Sequence, residues 1–335
     1  MKRSRRLLAV GAAMVTAVGV LAGCGSGDDG GAVTLYSGRS EELVGPLVSR
    51  LDSDGIELNV SYDRKANQIL EEGEALPADV FFAQDAGELG RLADAGLLET
   101  LPTDITEVVD AKYRPSDNDW APVTARARVL AFDPGKMSAA DLPAGIDGLL
   151  DPRFKGQIGY APTNASFKSF VTGLRVIRGD DGARDWLTKF LANEPKTFEK
   201  NGQILDAVNS GTVATGLINH YYWAAAVAEK GEAGVPARLH FFTDDPGGLV
   251  NVAGVAVLKS AEDKEAAFDV VRALLNDDSQ RYFASETGEY PIAVDVPLDV
   301  PGLPRLNELS PPAIDLDELA DLDGTEKLLT EVGAL

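Results

Sequence analysis

Residues 32–38, Ala32-Val33-Thr34-Leu35-Tyr36-Ser37-Gly38, set a short apolar run against a Ser-Gly break, and the segments on its C-terminal side decide the fold. Such a run reads as a strand. Ser40-Glu41-Glu42 behind it opens a helix whose Leu43, Leu47 and Leu51 recur at i, i+4 and i+8. The pattern then repeats: 56–60 reads as a second strand, 67–72 as a helix, 78–82 as a third strand, and Leu89 and Leu92 mark the next helix. Strand–helix alternation at this spacing predicts an α/β fold with largely parallel, doubly wound sheets. Ligands gather beyond the carboxyl ends of such strands, so the segments after Tyr36 and Phe82 are candidate site loops. A second series runs from Arg128-Val129-Leu130-Ala131-Phe132 through 157–160 to 215–218, and the apolar stretch 247–257 is long enough to cross between lobes. Amphipathic stretches at 264–275 and 318–335 close the chain, the acidic 315–323 segment reading as a solvated helix face.

At 335 residues the chain has room for two lobes, each with its own core. Its 31 Lys plus Arg stand against 53 Asp plus Glu, a formal charge of −22. That excess of carboxylates disfavours nucleic acid, whose phosphates need a basic surface. One cysteine excludes an internal disulfide, an iron–sulfur cluster and a thiolate zinc site. Two histidines, His220 and His240, argue against a His-rich zinc or copper site.

The first 23 residues differ from the rest. Lys2, Arg3, Arg5 and Arg6 precede an uncharged apolar or small-residue run at 7–21, and Leu21-Ala22-Gly23-Cys24 closes it. This is the pattern of a secretory signal, and the run is at the short end for a membrane span. Leu-Ala-Gly-Cys resembles the bacterial lipobox, whose cysteine is lipidated, and Cys24 is the chain's only cysteine. The expectation is a signal peptide at 1–23, a flexible Gly-rich tether at 24–31, and export to the outer face of the cell membrane with a palmitate-type anchor at Cys24. Without the signal, 27 basic residues face 53 acidic ones, a charge of −26. The G-x-G-x-x-G spelled by Gly25, Gly27 and Gly30 follows no strand and opens no helix, so it is not a dinucleotide fingerprint.

No G-x-S-x-G elbow, P-loop or H-E-x-x-H is present, and neither histidine lies in a catalytic context. A tethered binding protein therefore fits better than an enzyme. The most informative segment is Gly216-Leu217-Ile218-Asn219-His220-Tyr221-Tyr222-Trp223, where two adjacent tyrosines end an apolar run at a strand-to-helix loop.

These surroundings resemble the bacterial ferric-ion-binding periplasmic proteins, the substrate-binding components of ABC-type iron importers. Residues 33–39, 76–82, 155–160, 218–223, 245–247 and 289–291 match family segments in order. The resemblance implies the two-lobed periplasmic-binding-protein fold with a hinge, lobe 1 comprising 32–109 and 252–302 and lobe 2 comprising 110–251 and 303–335. It implies Fe³⁺ as cargo, bound by Tyr221 and Tyr222 with a synergistic anion such as carbonate or phosphate. A hard, highly charged cation favours anionic oxygen and can drive the proton off a phenol. Arg39, Asn219, Asn164, Ala165 and Asn201 fall where members place anion contacts. Ser40 and Gln84 stand where some members have a histidine and a glutamate ligand, which leaves Tyr36 and Asp85 as possible additional ligands. The expected partners are a permease and an ATPase, with the chain itself a monomer. Alternatives are the same fold binding a ferric chelate, an oxyanion or a small organic solute, or a secreted enzyme.

Overall fold

The computed structural model describes residues 31–335 apart from 294–297 and 299. The signal peptide, nearly all of the tether and the expected lipidation at Cys24 lie outside the described residues. Ten strands are present among those described: β1 Val33–Ser37, β2 Leu58–Ser61, β3 Val80–Ala83, β4 Ala121–Phe132, β5 Ile158–Tyr160, β6 Lys196–Thr197, β7 Thr215–Asn219, β8 Arg238–His240, β9 Val250–Val257 and β10 Tyr290–Pro291. The first helix, Glu41–Ser53, follows β1 with Ser40 at its N-cap and buries Leu47 and Leu51, as the spacing predicts, with Val44 fully buried beside a Leu43 that is only partly so.

The strands run in the order β2-β1-β3-β9-β4-β7-β5-β6, with β8 and β10 also paired to β4. The flanks are parallel: β1 with β2 and β3, and β5 with β6 and β7. The centre is not, which corrects the expectation of a largely parallel sheet. β9 is antiparallel to both β3 and β4, and β4 is antiparallel to β7. The chain leaves the first half along β4 and returns along β9, and two crossing strands laid side by side in opposite senses must pair antiparallel.

β4 is longer than the five residues its apolar run suggests. Its first part, Ala121 to Ala127, pairs with β9, and Arg128 to Phe132 pair with β7. Pro122, which has no N–H, and the two arginines hide this strand in the sequence. Every residue of β4 and β9 is buried. Two hydrophobic clusters flank the crossing. The first gathers around Leu35, Phe81, Phe82 and Val255, and the second around Phe154, Phe167, Phe170, Trp186 and Phe190. The C-terminal segment serves both: Leu316 and Leu319 join the first cluster, Leu328 and Leu329 the second. Its acidic run is more than a solvated face. Asp317 accepts from Trp120 Nε1 at 2.8 Å, and Asp321 and Asp323 each pair with an arginine, Arg175 and Arg91, at 2.7 Å. No helix among the described residues is long and apolar enough to cross a membrane.

Candidate functional site

The helix His220–Lys230 begins at the carboxyl end of β7, with Asn219 in extended conformation at its N-cap. That places Tyr221 and Tyr222 in the first turn, where a doubly wound sheet gathers ligands. Their rings stack at 4.4 Å between centroids and 28° between planes. Both line a cavity of about 140 Å³ where β3, β4, β7, β9 and the helix Ala165–Ala192 converge. Burial and then Tyr222 hold the Tyr221 phenol well above its ordinary pKa, with Arg126 opposing them. In the free site the Tyr221 phenol therefore keeps its proton.

Asn164, Ala165, Asn219 and Asp85 line the same cavity. Asn164 caps the helix Ala165–Ala192, accepting from Ser166 N at 3.0 Å and Ser166 Oγ at 2.7 Å. A helix N-terminus facing the cavity offers N–H groups and a favourable dipole to an anion. Asn201 stands one layer behind, donating to Asn164 Oδ1 at 3.2 Å and Ser166 Oγ at 2.9 Å. Asp85 has both oxygens engaged: Oδ1 accepts from Gly87 N at 3.0 Å, and Oδ2 from Ser169 Oγ at 2.6 Å and Asn251 Nδ2 at 2.7 Å.

Tyr36 and Arg39 do not line the cavity. The Tyr36 hydroxyl donates to Glu72 at 3.0 Å, with the Arg64 guanidinium 4.7 Å from its ring centroid. Arg39 is buried in a bidentate pair with Glu289, at 2.9 and 3.0 Å. Its fork is committed to that carboxylate.

Two cationic residues that the sequence reading missed do border the cavity. Arg126 and Arg128 both line the cavity from β4. The signal was present: two arginines one period-2 step apart inside a buried strand share a face. Arg128 is 2 % exposed, and no carboxylate among the described residues lies within ion-pair distance of it. It donates to Leu217 O at 3.0 Å and Ser166 Oγ at 3.2 Å, lies 5.8 Å from the ring centroids of Phe167 and Phe170, and keeps a buried Nε without a partner. Burial pulls its pKa down to about 9, which leaves it charged at neutral pH. A buried cation with no counter-ion, beside a helix N-terminus, is a place for an anion.

Residues 75–316 match the family described as bacterial extracellular solute-binding protein. The chain is 33% identical to the major ferric iron-binding protein of Neisseria meningitidis serogroup B, over 99% of each chain. It is 30% identical to the Fe(3+)-binding periplasmic protein of Serratia marcescens, over 92% of each. Among solved structures, iron-bound HitA from Pseudomonas aeruginosa superimposes with a TM-score of 0.81 at 35% identity, covering 90% of this chain and 99% of that one. The Trichodesmium protein in complex with iron and citrate ligands gives 0.75 at 26% identity, over 90% and 99%.

Proposed function

The chain belongs to the bacterial extracellular solute-binding proteins, a family of transport components and not of enzymes, and on that premise we propose that it captures ferric iron between Tyr221 and Tyr222 together with an anion seated on Arg128 and the 164–166 helix start. The observation that carries this reading is the stacked phenol pair sharing one small cavity with a counter-ion-free guanidinium. Fe³⁺ supplies what the free site lacks, a charge large enough to expel the Tyr221 proton that burial otherwise retains.

Charge arithmetic supports the anion. In and behind the cavity, the guanidiniums of Arg39, Arg126 and Arg128 face two carboxylates, Asp85 and Glu289. One positive charge is left over. A ferric ion bound by two phenolates adds one more, so a dianion such as carbonate or hydrogen phosphate brings the buried site to neutrality. Asn219, Asn164 and Ala165 are then anion contacts, and Asn201 orients Asn164. Asp85, with its oxygens occupied, is a weaker metal ligand than its position suggests, and Arg39 and Tyr36 stay outside the coordination sphere.

The family implies permease and ATPase partners. Delivery of iron to that permease, anchoring through Cys24 at the outer face of the cell membrane, and closure of lobe 32–109 with 252–302 against lobe 110–251 with 303–335 belong to the same proposal. The test is colour. The full chain, stripped with chelator and given ferric nitrilotriacetate with phosphate, should develop a visible phenolate-to-iron absorption with one iron bound. Tyr221→Phe with Tyr222→Phe should keep the fold and lose colour and iron alike. Undiminished iron in that double variant sinks the assignment, and iron retained only as an intact ferric chelate would move it to a chelate binder.

A further inference from the structure

Glu289 lies outside the cavity, yet it is the one carboxylate among the described residues within ion-pair distance of both Arg39 and Arg126. It is 2 % exposed, and its oxygens accept from Arg39 at 2.9 and 3.0 Å, from Thr124 Oγ1 at 3.0 Å and from Thr287 Oγ1 at 3.3 Å. Arg126 Nε stands 3.8 Å from Glu289 Oε1 without a hydrogen bond, while the far end of the same guanidinium reaches the Gln84 carbonyl at the cavity edge. Gly288, beside Glu289, has φ +65° and packs where an added Cβ would lie 3.3 Å from the Ala224 Cβ and 3.8 Å from the Tyr221 Cβ. The segment is thus held against the helix that carries the tyrosines.

We propose that Glu289 is a positioning residue that sets the net charge of the cleft: by neutralising Arg39 and lying beside Arg126 it leaves one guanidinium equivalent in excess, presented by Arg128, to attract the anion. The inference rests on the anion-assisted reading above. A buried ion pair contributes little stability against an apolar pair of similar size, so fold stability alone does not account for a carboxylate with four donors placed between two arginines. Its electrostatic effect reaches further, because a buried charge is screened far less than a surface one.

Four forms of the full chain separate charge from contact. Arg39→Met removes one positive charge from the trio, and Glu289→Gln adds one. The double variant Arg39→Met with Glu289→Gln restores the wild-type sum. Inorganic phosphate binding is measured by calorimetry on the iron-free protein, and by phosphate dependence of the ferric colour. The expected order of phosphate affinity is Arg39→Met weakest, wild type and the double variant alike, and Glu289→Gln tightest. Each step should be tenfold or more, the effect of one charge on each unit of anion charge at a separation on the order of 10 Å and an effective dielectric of about 20. A merely structural role weakens all three variants together, and direct anion contact by Arg39 leaves the double variant as weak as Arg39→Met; either result overturns the proposal, as does a wild type that binds no phosphate in either assay. If Glu289→Gln fails to fold, the tenfold separation of Arg39→Met from the double variant still decides. A preserved phosphate order with no ferric colour would instead refute the iron reading and leave the charge role standing.

Discussion

His220, the residue before the tyrosine pair, is fully buried, with its ring stacked on Tyr290 at 4.2 Å and Nδ1 accepting from Ala127 N at 3.1 Å. Burial lowers its pKa from 6.5 to about 4, so the folded chain keeps it neutral. Between those values the unfolded chain takes up a proton that the folded chain refuses, and stability falls as pH drops. The loss from pH 6.5 to 4 is about 3 kcal/mol. Melting curves of the iron-free protein at both pH values, beside His220→Gln, check this: the variant should lose less on acidification, and parallel losses would show that other groups carry the effect. The tyrosines next to it were legible because adjacency at the end of an apolar run is a local signal. Arg126 and Arg128 were half-legible, since their spacing shows a shared face but not which side of the sheet carries the cavity.

At the scale of elements, the helix Ala86–Asp94 and the 3₁₀ turn Leu316–Ala320 touch through glycine. A Cβ on Gly87 would lie 2.4 Å from Leu319 O, and one on Gly90 would lie 2.9 Å from Asp317 O. In an open helix, Gly→Ala stabilises by about 1 kcal/mol. Here the obstruction is backbone, which cannot rotate away, so overpacking wins and Gly87→Ala should destabilise by about 1–3 kcal/mol in urea unfolding. A gain in stability would mean that this contact is looser than its distances indicate. The helix itself follows from Leu89 and Leu92, and its close partner does not, because more than 220 residues separate Gly87 from Leu319. Strand β4 shows the same divide. Its second half reads as an apolar run, but its first half becomes a strand only because β9 lies beside it.

At the scale of the whole molecule, Asp85 ties the loop after β3 to Ser169 on the helix whose Phe167 and Phe170 belong to the second core cluster, with Asn251 of β9 completing the bridge. Hydrogen bonds to a carboxylate are among the stronger ones, and this one spans the cavity. Ser169→Ala should favour the open form, and a loss of about 1 kcal/mol corresponds to roughly fivefold faster iron release. The ferric colour should be unchanged, because no proposed ligand is touched. X-ray scattering of the iron-free variant should show a larger radius of gyration than wild type. Identical release rates and radii would mean that the bridge does not contribute to closure.

By itself the sequence determined the alternating α/β elements, the signal-like start, the exclusion of thiolate chemistry, and the tyrosine pair at a strand end. All of these are written in neighbouring residues, where periodicity and composition act. Tertiary structure alone decided that the central strands pair antiparallel, that Asp85 engages Ser169 and Asn251, and that Arg128 has no counter-ion among the described residues. It also decided the fate of Arg39, whose partner Glu289 lies 250 residues away. The reason is physical: a charge acquires its function from what lies within a few ångströms, and for buried charges that neighbourhood is set by chain crossings that no local pattern records.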